Sequence, residues 1–414
     1  MQKRNIIYAQ SGGPTAVINA SACGLIQAAR EHSDKIGTVF AAKNGITGVL
    51  NEELFDTSLE TDEAIESLLH SPASEFGSCR YKLKNIEQDD SEYRRLIEVF
   101  AAHDIGYFFY NGGNDSQDTA YKISEMGSRL GYPVTCIGIP KTIDNDLAHT
   151  DNCPGFGSAA KFIAISTRET ARDLASMAAS STKVFILEVM GRHAGWLAAS
   201  AGLAAASPDD APHIILFPEV GFDEARFLEK VELTVNTMGY CVIVVSEGIR
   251  SVDGRLLQEG GLMDAFGHEQ LGGVAPLIAK FIKNHLGYKY HWANADYLQR
   301  CARHIASQTD LDQAYALGKS AVEMALAGKK NVMLTIERKS SSPYRWEIGS
   351  VPLSKVAGVE SKLPLDFIRE DGFGISEKCR EYLQPLIVGE AYPPYQNGLP
   401  HYTSLKKILT PRKL

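Results

Sequence analysis

The 414-residue sequence contains no apolar stretch near the roughly 18 residues that a membrane span requires. Its opening, MQKRNIIYAQSGGP, has only a short apolar run before turn residues, which is not the pattern of a secretory leader. Long basic runs are also missing. With 42 basic against 50 acidic residues and a formal charge of −8, little here could neutralise a nucleic-acid backbone. The seven cysteines (Cys23, Cys79, Cys136, Cys153, Cys241, Cys301 and Cys379) form no CxxC pair and are odd in number. Neither a zinc site nor a disulfide framework is expected. These absences point to a cytoplasmic protein with neither membrane nor nucleic acid as partner.

What is present is a chain of ordinary apolar and charged content, long enough for a large core and for at least two lobes. Short β-branched or aromatic runs (NIIYA, GTVFAA, IGYFFYNGG, VTCIGIP, KVFILEVMG, HIILFPE, CVIVVSEG, VMLTIERK) alternate with segments whose apolar residues fall three and four apart. Such alternation predicts an α/β fold with mostly parallel sheets and helices on both faces. The units are more numerous than one sheet comfortably holds, and the polar stretch DLAHTDNCPGFG at 146–157 is the expected crossing. The reading is therefore a lobe over 1–150, a second over 151–340 with a return between lobes near 290–330, and an extension over 341–414. The pattern weakens from about residue 340, and the proline-rich tail is expected to wrap the surface.

In open α/β sheets, ligands gather at the carboxyl ends of strands, and the polar residues concentrate there. AQSGGPTAVINA follows the first strand, so the backbone N–H groups of Gly12 and Gly13 are placed to face an anion, or simply to turn the chain. In YNGGNDSQDTA, Asn114, Asp115 and Ser116 follow Gly112 and Gly113 and are equally ordinary helix caps. EVMGRHAGW puts Arg192 directly after a strand, where its planar fork suits a phosphate as well as a surface carboxylate. GIPKTIDND crowds Lys141, Thr142, Asp144 and Asp146 at one strand end. Two nucleotide-like strings are decoys: DQAYALGKSA lacks the first Walker glycine and reads as mid-helix, and GFGSAA follows a polar loop instead of a strand.

Taken in order, SGGP, FGSCR, GGNDS, PKTIDND, EVMGR, SEG and YLQR resemble the phosphofructokinase family over about residues 5–305. The lysine ahead of TIDND and the aspartate after GGN resemble its pyrophosphate-using branch. The resemblance implies a two-lobed fold, with the donor and metal site on the first lobe and the sugar-phosphate site on the second. It implies Mg2+-dependent, reversible phosphoryl transfer from pyrophosphate to the 1-hydroxyl of fructose 6-phosphate in glycolysis or gluconeogenesis. Asp144 is implied as general base, Lys141 and Arg80 as cations at the transferring group, and Gly12 and Gly13 as the pyrophosphate loop. Thr142, Ile143, Asp146, Met190, Gly191, Arg192, Glu247, Tyr297 and Arg300 are implied around the sugar phosphate. Lys183 stands where the family presents an arginine from a neighbouring subunit, which implies a homodimer or homotetramer with shared sites. Asn114 departs from the pattern, since most relatives have a magnesium-linked aspartate there, and a neutral amide is a weaker ligand.

The donor argument is physical. Pyrophosphate has no base or ribose to grip, so charge-assisted contacts of roughly 1.5 to 3 kcal/mol each must hold it. A carboxylate at Asp115 about 4 Å from a nucleotide's α-phosphate costs on the order of 4 kcal/mol, roughly a thousandfold against ATP. Two alternatives stand beside this reading: an ATP-dependent enzyme of the same family, and a non-catalytic regulatory subunit that binds sugar phosphate.

Overall fold

The computed structural model describes residues 3–257, 273–402 and 404–414. Two sheets carry the architecture. The first has seven strands: β1 (Arg4–Gln10), β2 (Ile36–Ala42), β3 (Leu54–Asp56), β4 (Ile105–Gly112), β5 (Thr135–Pro140), β10 (Val332–Ser341) and β11 (Tyr344–Pro352). Their spatial order is β11-β10-β5-β4-β1-β2-β3. The second holds β6 (Val184–Val189), β7 (Ile214–Leu216), β8 (Cys241–Ser246) and β9 (Tyr290–Asn294) in the order β7-β8-β6-β9. All pairings in the second sheet and the central ones in the first are parallel, while β3 and β11 add antiparallel edges.

The strands are continuous apolar runs because both faces are covered. In β1, Ile7 and Ala9 face one core with Phe108 and Tyr110 of β4, while Ile6 and Tyr8 face another with Phe109 and Ile137. The second sheet divides likewise: Leu187, Val189 and Val244 turn one way, Ile186, Ile243 and Val245 the other. A period of two inside an unbroken hydrophobic run is the mark of a doubly covered sheet. All eight strand runs read from the sequence form strands, and the expected α/β class is the one observed. Among the described residues, no helix is long and apolar enough to cross a membrane.

The hairpin partner of β10 is the feature the sequence concealed. β11 (YRWEIGSVP) lies beyond residue 340, where the apolar pattern fades, because the hairpin's outer half is exposed and needs no apolar alternation. The tail does cover the surface: Asp56 N–H donates to Ile408 O (3.0 Å) and Thr410 N–H to Leu54 O (2.8 Å), adding an extended segment beside β3. The buried Glu52 carboxylate then accepts from the backbone N–H of Lys413 and of Leu414 and lies 2.7 Å from His103 Nε2. Burial pushes the Glu52 carboxyl upward, but these hydrogen bonds outweigh it and hold the group below its usual range.

One helix crossing sets the first phosphate-type loop. The helix Ile18–Glu31 leaves that loop and crosses the helix Gln308–Leu326 at glycines from both: a Cβ on Gly24 would lie 2.2 Å from Tyr315 O, and one on Gly318 2.0 Å from Ser21 O. Both contacts are to backbone, so no side chain can yield. GKS thus lies mid-helix, as expected, and its glycine serves packing. Gly24→Ala is expected to lower the unfolding free energy by about 1 to 3 kcal/mol, measured as a shift in the urea midpoint at unchanged slope.

Candidate active site

Every predicted site residue except Lys183 lies beyond the carboxyl end of a strand or on a loop that meets one. Gly12 follows β1, with φ +73 and its N–H donating to Cys79 O at 3.0 Å; Ser78 Oγ donates to Gly12 O at 2.7 Å. These two bonds dock the loop carrying Arg80 against the glycine turn. Lys141 follows β5, buried to 4% exposure, and its Nζ donates to Gly13 O at 2.8 Å. A Cβ on Gly13 would meet Arg300 Nη1 at 2.8 Å and come within 3.9 Å of Arg80 Nη2. A side chain there would press on the Arg300 guanidinium, which glycine leaves in place near Arg80.

Burial lowers the Lys141 ammonium to about 8; Asp144 opposes the drop, and Arg300 and Arg80 add to it. Asp144 and Asp146 are half-buried, with partial access to solvent. Desolvation is the largest cause that raises both carboxyls; Glu247 pushes Asp144 further up and Lys141, Arg80 and Arg192 pull it back, while Asp146 is raised further by Asp144 and by Glu360. Glu247, after β8, is raised to about 7 by desolvation, and it accepts weakly from Gly191 N–H at 3.4 Å. Four cations and four carboxylates, Glu360 among them, therefore act on one another around this site, and the cations together suit a polyanion.

The loop after β5 is clamped. Asp144 N–H donates to Thr142 Oγ1 (3.1 Å), and the Thr142 hydroxyl also bonds the Asp146 carboxylate. Between the aspartates, Asn145 sits at φ +55, a left-handed conformation that asparagine tolerates, and its side chain binds Cys153 N–H (2.9 Å) and Tyr382 hydroxyl (3.0 Å). Nothing in the sequence reading separated this residue from its neighbours. Gln299 was also missed: its Oε1 accepts from Met190 N–H at 3.2 Å, tying the YLQR turn to the end of β6, while the Arg300 guanidinium stacks 3.7 Å over the Tyr297 ring. Gly191, at φ +132, holds Ser246 Oγ on its carbonyl at 2.6 Å and starts the turn into Arg192.

Three predicted residues stand apart. The Ile143 side chain is buried in the apolar cluster around Phe156 and Trp196, so only its backbone borders the cleft. Asp115 is exposed on the first turn of the helix Asn114–Arg129. Lys183 lies at the opposite end of β6, and its ammonium donates to Ala178 O. Asn114 donates through Nδ2 to Val359 O (2.8 Å), while its Oδ1 is buried with no hydrogen-bond partner among the described residues. That orphaned oxygen and the carboxylates of Asp144 and Asp146 are hard donors of the kind Mg2+ takes. The described residues hold no group of three or more His, Cys, Asp or Glu side chains fit for a metal ion, so such a cation would draw its remaining ligands from water and substrate oxygens.

Comparison with known proteins decides the family. The phosphofructokinase model matches residues 5–325. The chain belongs to the phosphofructokinase family. Among its relatives in that family, a pyrophosphate–fructose 6-phosphate 1-phosphotransferase of Methylococcus capsulatus is 61% identical over all of this chain and 99% of its own length. One of the same description from Halomonas elongata is 60% identical over the same shares. A crystal structure described as a pyrophosphate-dependent phosphofructokinase of Marinobacter aquaeolei superposes with a TM-score of 0.91 at 59% identity, covering 99% of this chain and 98% of that one.

The raised Asp144 carboxyl has a sign that can be checked. A carboxyl raised above its unfolded value costs stability as pH climbs from the unfolded to the folded pKa, and the whole cost is present above the folded one. Asp144→Asn is therefore expected to be more stable than the native chain at pH 8 by roughly 1 to 3 kcal/mol, with no gain at pH 3, in paired thermal melts.

Proposed function

We propose that this phosphofructokinase transfers a phosphoryl group from pyrophosphate to the 1-hydroxyl of fructose 6-phosphate, in either direction, with Mg2+ as its metal. The observation that carries the reading is a buried Lys141 ammonium, held on Gly13 O, whose charge acts on the half-buried Asp144 carboxylate, with Arg80 and Arg300 beside it. Phosphoryl transfer asks little covalent work of a protein and much positioning of charge.

In this reading the Gly12–Gly13 turn, Arg80 and Lys141 hold pyrophosphate. Asp144 accepts the proton of the attacking hydroxyl, its raised basicity suiting that task near neutral pH. Arg300, Tyr297 and Arg192 hold the 6-phosphate, Glu247 a sugar hydroxyl, and Thr142 fixes both aspartates. Met190 and Gly191 shape the turn. Bound Mg2+ supplies charge neutralisation on the phosphate oxygens, and Asp144, Asp146 and Asn114 Oδ1 are the oxygens that would hold it. Asp115, exposed on its helix turn, disfavours a nucleotide's extra phosphate. Lys183, remote from its own chain's cleft, serves the site of a second copy in a homodimer.

Initial rates with pyrophosphate and then ATP, each with Mg2+ and fructose 6-phosphate, test the donor; turnover with ATP alone would overturn the assignment. Asp144→Asn is expected to reduce kcat by about 1,000-fold or more. For the native enzyme, kcat/KM should fall on the acid side as the Asp144 set takes up protons, and above about pH 8 as Lys141 loses its own. Lys141→Ala should abolish the alkaline limb while leaving the acid limb in place.

A further inference from the structure

A segment with no sequence motif joins the loops that carry the site. Val359, Glu360 and Ser361 touch loops from both sheets within three residues. Val359 O accepts from Asn114 Nδ2 (2.8 Å) at the helix start after β4. Ser361 N–H donates to Asp146 O (2.7 Å), and Glu360 bridges Leu147 in antiparallel fashion, so the segment is stitched to the loop after β5. The Glu360 carboxylate stands 3.0 Å from His193 Nδ1, and His193 directly follows Arg192 beyond β6. Ser361 O accepts from Trp196 Nε1 (3.1 Å). Two residues on, Leu363 N–H donates to Glu219, whose same oxygen accepts from Gly195 N–H at 2.9 Å.

We propose that residues 359–361 form a positioning strap across the active site, with Asn114 as its pin on the donor side and Glu360 as its hold on the acceptor side. The proposal rests on the phosphoryl-transfer reading above. It also gives the amide at position 114 a reason of its own. A carboxylate cannot donate, so aspartate there would set two acceptors 2.8 Å apart and open the strap where it meets the helix carrying Asp115. On the other side, Glu360 steadies His193 and with it the turn that aims Arg192 at the sugar phosphate. Glu360 touches no reacting group and acts through His193; Asn114 pins the strap through Nδ2 and leaves Oδ1 to the donor's metal. Losing either strap contact should therefore weaken the binding of one substrate and spare the other.

Steady-state kinetics with both substrates varied, alongside thermal midpoints, distinguish this from a purely structural role. Glu360→Ala is expected to raise KM for fructose 6-phosphate at least ~5-fold while KM for pyrophosphate stays within ~2-fold, and Glu360→Gln, which still accepts from His193, should recover most of the loss. His193→Ala cuts the same contact from the other side and gives the same split if Glu360→Ala fails to fold. Asn114→Asp should raise KM for pyrophosphate by a similar factor and leave that for the sugar unchanged. Parallel changes in both KM values, no change in either, or a gain of activity in Asn114→Asp would each overturn the strap. Native enzyme without pyrophosphate-dependent turnover would instead defeat the functional reading, a separately visible result.

Discussion

The structure depends on keeping an ammonium group charged in a place where burial works against charge. Lys141 is nearly inaccessible, is crowded by Arg80 and Arg300, and is retained by one backbone carbonyl and by the nearby carboxylates. Each surrounding feature serves that balance. Gly13 leaves room for the tip of Arg300, which a side chain would push aside. Thr142 and Asn145 lock the loop so that Asp144 cannot swing away from its counter-ion. Unshared repulsion among cations, and among Asp144, Asp146 and Glu247, is strain that an incoming polyanion and a divalent cation relieve together.

Much of this was legible because each motif is a strand end followed by a turn, and strand ends converge in a parallel sheet. GIPKTIDND could be placed from sequence since an apolar run, a proline and a polar cluster mark where β5 stops. The glycine turns after β1 and β4 follow from the same rule. What stayed hidden depends on contacts that carry no local signal. Val359 acts through its carbonyl, which every residue possesses, and Gln299 through a bond to a backbone N–H more than a hundred positions away. Asn145 shares a motif with its neighbours but differs in φ, and φ cannot be read from a letter.

Position 114 shows how the two kinds of information combine. As a letter in a pattern, the asparagine is a departure that weakens a metal site. As a group in space, it is a donor with a defined acceptor on one side and an unshared oxygen on the other. An amide offers a donor and an acceptor at once, which neither a carboxylate nor a hydrocarbon can do. The same reasoning removes the GKS string from consideration, because its glycine is the contact point of two helices.

The strand order of the larger sheet carries a consequence for how the chain is made. Its strands β10 and β11, at 332–352, are synthesised only after all four strands of the smaller sheet, at 184–294, have left the ribosome. During vectorial synthesis the smaller sheet can pair completely while β5 still presents an open edge to solvent. The middle of the nascent polypeptide can therefore pair its strands first, the earlier part waits for a returning hairpin to shield that edge, and the core around Leu187 and Val244 closes only when Leu363 and Leu386 arrive.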